Sequence, residues 1–171
     1  MYFQYGKTET DYLKKKAMCE YLNFKELNLH DCKAYAWGIL SESHKLLMDV
    51  DWIVSWKLQN GTYRLHISPC TFVFSNVWDV NIDIVMNTTL IIDSMEIISE
   101  QVPRNISVLS KGTKEYACRI NFLEGSFSFR TIDFTIIQRT KEIESTIANL
   151  SENEREGISL SMDGTKYRVN L

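Results

Sequence analysis

The chain has 171 residues, 44% hydrophobic and 24% charged, with a net charge of −3 and a pI near 5.6. These are ordinary values for one globular domain with room for a substantial core, and they leave no basic footprint for nucleic acid or an anionic membrane. No apolar run reaches the ~18 residues of a membrane span. The opening MYFQYGKTETDYLKKK carries no hydrophobic signal core, so a cytoplasmic protein is expected.

Residues 8–22, TETDYLKKKAMCEYL, read as a helix. Thr8 or Thr10 caps its start, Glu9 and Asp11 suit the positive end of the helix dipole, and Leu13, Ala17 and Tyr21 recur at spacing four. Residues 1–26 are therefore expected to form an N-terminal helical segment ahead of a β region over 27–171, within a single domain. Lys33–Leu40 is a strand with Tyr35, Trp37 and Ile39 on one face, and Ser41–His44 is a polar turn.

The stretch Leu46–Leu58, LLMDVDWIVSWKL, carries the strongest periodic signal. Every even position is apolar, and the odd positions carry Asp49, Asp51, Ser55 and Lys57, with Leu47 and Ile53 as apolar exceptions. A period of two over that length is a half-buried strand. It predicts Trp52 and Trp56 pointing together into the interior, with Asp49 and Asp51 in solvent. Asn60-Gly61 is the strongest short hairpin signal in the chain, since both residues tolerate positive φ. Counting symmetrically back from that turn sets His66 opposite Ser55 and Arg64 opposite Lys57. Carried further, the same register puts Phe72 against Asp49, a poor match that calls for a shift near Pro69.

Thr71–Val77, Trp78–Met86 and Leu90–Ser99 supply further strands, and Gln101–Gly112 is a loop. Tyr116–Leu123 and Ser126–Gln138 form a hairpin around Glu124-Gly125, with a bend between Arg130 and Ile132 where the apolar phase changes. Glu142–Leu150 is a short helix or a loop, and Ser151–Gly157, SENEREG, is an exposed polar stretch. A final hairpin joins Ile158–Met162 to Lys166–Val169 through Asp163-Gly164. The fold expected is mainly β, an antiparallel sandwich or curled sheet of roughly nine strands.

Two aspartate pairs, Asp49 with Asp51 and Asp79 with Asp83, stand on the polar faces of two strands. Paired carboxylates can do acid–base work or hold a metal, but alternation alone demands polar residues there. They are read as an acidic surface complementary to a basic partner, with Lys45, Lys57 or Arg64 as neighbouring counter-charges. His30-Asp31 resembles an oriented imidazole only superficially, because neighbouring residues on a strand face opposite ways. Cys19, Cys32, Cys70 and Cys118 stand in no CxxC pair and read as reduced, buried thiols. No GxGxxG, GxxxxGK[ST], GxSxG or HExxH pattern occurs. No catalytic, cofactor-binding or metal-binding residue is assigned, and no cofactor is expected.

The succession of LHD, a short strand, LLMDVDWIVSW, a hairpin and SPCTFVFSNVWDVNIDI resembles small bacterial β-rich proteins grouped with the immunity proteins of polymorphic toxin systems. It spans about Leu29 to Ile84. The resemblance implies a cytoplasmic protein that works by binding another protein, a basic toxin domain among them, and it transfers no catalytic residue. The alternative is a ligand-binding or enzymatic β-barrel whose Trp37, Trp52, Trp56 and Trp78 line a cavity. A third reading is a homo-oligomer built through an open strand edge.

Overall fold

A computed structural model describes residues 20–85 and 89–171. The strands in chain order are β1 (Glu20–Asn23), β2 (Lys33–Leu40), β3 (Lys45–Gln59), β4 (Thr62–Ser75), β5 (Trp78–Ile84), β6 (Leu90–Gln101), β7 (Glu115–Phe122), β8 (Gly125–Thr131), β9 (Asp133–Gln138), β10 (Ile143–Ser145) and β11 (Thr165–Asn170). They form one mixed sheet that does not close, in the order β1-β11-β9-β4-β3-β2-β6-β7-β8-β5, with β10 paired to β4. Among the described residues only β1 with β11 is parallel; the other pairings are antiparallel. Among the described residues no helix is long and apolar enough to cross a membrane.

The sheet divides naturally at β2 and β6, which share only the pairs Lys33↔Ile91 and Ala34↔Leu90. The two halves curl over each other and bury their inner faces together. Trp37 of β2 meets Phe127 of β8 edge-on at 5.4 Å, and Phe74 of β4 meets Phe129 of β8 at 4.7 Å. Phe72, Phe74, Phe127 and Phe134 are fully buried, alongside Leu46, Met48 and Val50 of β3. Each such side chain contributes about 1.5–3 kcal/mol over its exposed state. The chain passes from one half to the other at Ile132, where the sequence expected a bend. Thr131 and Asp133 sit on either side of that single residue, and Thr131 Oγ1 donates to the Ser75 carbonyl at 2.7 Å to fix the corner.

Several expectations are corrected. The predicted helix over 8–22 falls mostly outside the described residues, but its last residues do not continue it. Glu20–Asn23 is a strand bonded to β11, and Phe24–Glu26 is a single 3-10 turn capped by the Asn23 side chain. Strand β4 runs through Ser68-Pro69 without a break, although proline there would be expected to interrupt a ladder. Pro69 lies opposite Asp51 on one side, between the end of the β9 pairing at Cys70 and the start of the β10 pairing at Ile67 on the other. Its missing N–H therefore removes no ladder bond. Ile158–Met162 does not pair as a hairpin with β11, which lies instead between β9 and β1.

The Asn60-Gly61 turn forms as the sequence indicates, with φ of 49° and 77°. The symmetric register holds from Gln59↔Thr62 to Ser55↔His66. It then slips by one residue at Val54, not at Pro69, and this places Asp49 against Thr71 in place of Phe72. A one-residue slip changes which side chains share a face. Trp52 lies on the buried side, edge-on to Tyr167 at 6.1 Å. Trp56, beyond the slip, is 47% exposed. The expectation that both indoles enter a dry interior is met by Trp52 and overturned by Trp56.

Candidate functional site

The densest cluster of charge lies on the outer face of β3. Asp49 and Asp51 are both fully buried. The reading of this face as solvated carboxylates is wrong, and the reason is the segment between β10 and β11, which folds back over the sheet. Arg155, in the stretch expected to be exposed, is only 2% accessible. Its guanidinium lies 3.5 Å from the Tyr35 ring centroid. Nη2 and Nη1 donate to Asp49 Oδ1 and Oδ2 at 2.8 and 3.2 Å, and Nε donates to Asp51 Oδ1 at 3.2 Å. Arg139, just past β9, donates through Nη2 to Asp49 Oδ1 at 2.7 Å and through Nη1 to the Ser159 carbonyl. The Ser159 N–H donates to Asp49 Oδ2 at 2.9 Å, and the Tyr35 hydroxyl donates to Asp51 Oδ2 at 2.7 Å.

Two carboxylates thus meet two guanidiniums, and the geometry is bidentate where it matters. Burial pushes the Asp51 carboxyl above its usual range, against the opposing pull of the Tyr35 hydroxyl and the Arg155 charge. Burial also raises the Tyr35 phenol. For Arg155 burial works the other way, yet the hydrogen bond to Asp49 and the charges of Asp51 and Asp49 hold its pKa above the usual value. Both oxygens of each aspartate are engaged and both side chains are fully buried, so the cluster is closed to solvent. Its chemistry is that of a clasp: it fastens the covering segment to β3, with Leu160 packed against Leu47, Val73 and Ile137 beneath it.

Asp79 and Asp83 lie elsewhere, on β5 at one end of the sheet, and both are exposed. Asp79 is held by Arg104 at 2.5 Å and by Arg130 at 3.4 Å, and the Arg104 hydrogen bond lowers its carboxyl below the usual range. The four aspartates therefore form no common surface. The counter-charges of Asp49, Asp51 and Asp79 are Arg104, Arg130, Arg139 and Arg155, none of the basic residues expected from local sequence.

The remaining candidates are dispersed. His30 lies at the surface with Asp31 and Asp93, and His66 lies near Glu142 at 3.8 Å. Among the described residues no group of His, Cys, Asp and Glu is arranged to hold a metal ion. Cys32, Cys70 and Cys118 are buried free thiols whose pKa burial pushes up to about 12, so none is a ready nucleophile; Cys19 lies outside the described residues. Among the described residues the tryptophans line no shared cavity. Trp37 packs on Phe127, Trp52 on Tyr167, and Trp78 lies beneath His44 and Arg104. A shallow cleft of about 320 Å³ touches Trp52 alone, between Val54 and residues 21–28.

What the sequence reading missed is the end of the β3–β4 hairpin. No other strand among the described residues flanks β3 beyond Trp52 or β4 before Leu65. The pairs Trp56↔Leu65 and Leu58↔Tyr63 share one face of this two-stranded ribbon. Trp56 is 47% exposed, and Leu58 and Tyr63 are each 62% exposed. Lys57↔Arg64 and Ser55↔His66 occupy the other face. Comparison with protein families, curated proteins and solved structures gives no match. A functional reading therefore stands on the chemistry of these surfaces.

Proposed function

We propose that this chain is a non-enzymatic protein-binding domain, with an immunity-type neutraliser of a bacterial toxin in the cytoplasm as its specific form. The observation that carries this reading is the ribbon face of Trp56, Leu58 and Tyr63. Exposed aromatic side chains are the usual anchors of protein interfaces, because they bury much area at little entropic cost. The acidic surface first assigned to Asp49, Asp51, Asp79 and Asp83 supports it less, since half of that set is enclosed by Arg155. The resemblance over Leu29 to Ile84 supports it from a separate direction.

The test is a triple substitution, Trp56→Ser, Leu58→Ser and Tyr63→Ser. Co-expressed with any toxin domain found encoded beside its gene, the native chain should protect cells and co-purify with the toxin. The variant should lose both properties while its thermal midpoint stays within a few degrees of the native value. Undiminished protection by the variant would remove the ribbon from the interface, and failure of the native chain to protect would remove the toxin-neutralising form.

A further inference from the structure

We infer that the open edge of β3 takes up an extended, acidic segment of a protein partner as an added strand. This rests on the protein-binding reading and specifies how the ribbon would be engaged. The first observation is geometric. β2 pairs with β3 only from Lys45 to Asp51, so among the described residues no strand pairs with the same edge from Trp52 to Gln59. A two-residue turn makes Gln59 and Thr62 a hydrogen-bonded pair, and pairing alternates along an antiparallel ladder. Ser55, Lys57 and Gln59 therefore turn their peptide groups toward β4, while Trp56 and Leu58 turn theirs outward. The Ile53 N–H, which points to Cys32 Sγ at 3.4 Å, marks the inner end of this free row.

The second observation is the apolar character of this stretch of edge, whose one charged side chain is Lys57. Two other unpaired edges carry carboxylates, β5 with Asp79 and Asp83 and β6 with Asp93, Glu96 and Glu100, whereas β2 from Tyr35 to Leu40 is uncharged like this one. From Val54 to Gln59 β3 has no proline and no carboxylate, and its large side chains, Trp56 and Leu58, are apolar and exposed. A strand added here would gain main-chain hydrogen bonds and lay alternate side chains against Trp56 and Leu58.

Charge selects the occupant. In a chain of net charge −3, residues 52–66 carry Lys57 and Arg64 and no acidic residue. Arg64 is already answered by Glu144 at 3.6 Å. Lys57 has no ion pair among the described residues and stands on the edge strand itself. A second copy of this chain would bring another Lys57 and no carboxylate to the edge. An acidic, β-forming peptide answers both features.

The experiment is selection of random peptides displayed on phage against the full chain, followed by binding of synthetic versions of the enriched peptides. Three variants separate the contributions. Leu58→Pro removes one outward N–H and no hairpin bond, Lys57→Glu reverses the charge, and Trp56→Ser removes the anchor. Enriched peptides should alternate apolar and acidic residues, and each variant should weaken their binding at least tenfold with the thermal midpoint within a few degrees of the native value. The Trp56 and Leu58 amides should become protected from hydrogen exchange on binding. Should Leu58→Pro unfold, the exchange readout on the native chain decides by itself. Peptides that bind without an acidic bias, or without protecting these two amides, would overturn strand addition and leave the protein-binding reading intact. No enrichment at all would count against both. A dimer in light scattering that Leu58→Pro dissolves would assign the edge to a second copy and overturn the proposal.

Discussion

Asp49 is the residue on which the outer face of the first half depends. It accepts from Arg155, Arg139 and the Ser159 N–H at once. Asp49→Asn keeps the shape but leaves two buried guanidiniums without their shared counter-charge, so urea unfolding should show a loss of about 3–5 kcal/mol. Asp51→Asn should cost less, because burial already favours the neutral form of that carboxyl. The sign of its pH dependence is fixed by the same shift. A carboxyl whose pKa is raised by folding contributes stability that is fully present below its unfolded value, near 3.8, and is lost as pH rises through the folded value. Thermal midpoints of Asp51→Asn should therefore fall less than those of the native chain as pH increases from that value through the raised one. Matching slopes for the two proteins would contradict the assignment. The sequence held one hint of this cluster, the apolar Leu47 and Ile53 on a face otherwise read as polar. The arginines that complete it lie 90 and 106 residues away from Asp49, out of reach of any local pattern.

The β3–β4 hairpin was the most legible element. Its strand period, its turn and its register as far as Ser55↔His66 all derive from residues close in the chain. The slip at Val54 was not legible, because nothing local distinguishes it. Its effect, Thr71 facing Asp49, becomes favourable only once Arg139 is present, 3.5 Å from the Thr71 hydroxyl. Turn glycines offer a graded test at this scale. A Cβ at Gly61 would meet no atom within 4 Å, so Gly61→Ala carries only the cost of left-handed backbone, about 1–2 kcal/mol. At Gly125, with φ of 113°, a Cβ would stand 2.2 Å from the Asp83 carbonyl oxygen. Gly125→Ala should therefore cost clearly more and loosen β5 from β8, seen as faster amide exchange in β5 with β3 and β4 unaffected.

At the scale of the whole molecule, two half-sheets share a single interior while the strand ladder between them is only two residue pairs wide, with a few backbone bonds beside it at Ile92 and Ile132. Most cohesion between them comes from side chains, and Phe74 stands at the centre, against Phe134 at 4.5 Å and Phe129 at 4.7 Å. Phe74→Ala should lower stability by about 3–5 kcal/mol, and unfolding should stay a single transition by fluorescence and circular dichroism alike. Separate transitions for the two halves would show that each has a sufficient core of its own. The mainly β architecture could be read from alternation and turn chemistry. The division into halves could not, since it is set by which strands fail to pair, and no residue announces that.

The corner at Ile132 carries a further implication. With one residue between β8 and β9, and its own N–H bound to the Ser75 carbonyl at 3.1 Å, the chain has no slack where it changes layers. Lengthening it by a short insert would throw two ladders out of step together, whereas the exposed tip at Asn60-Gly61 has spare room. Evolution or an engineer seeking a place to graft new sequence would find the latter permissive and the former closed.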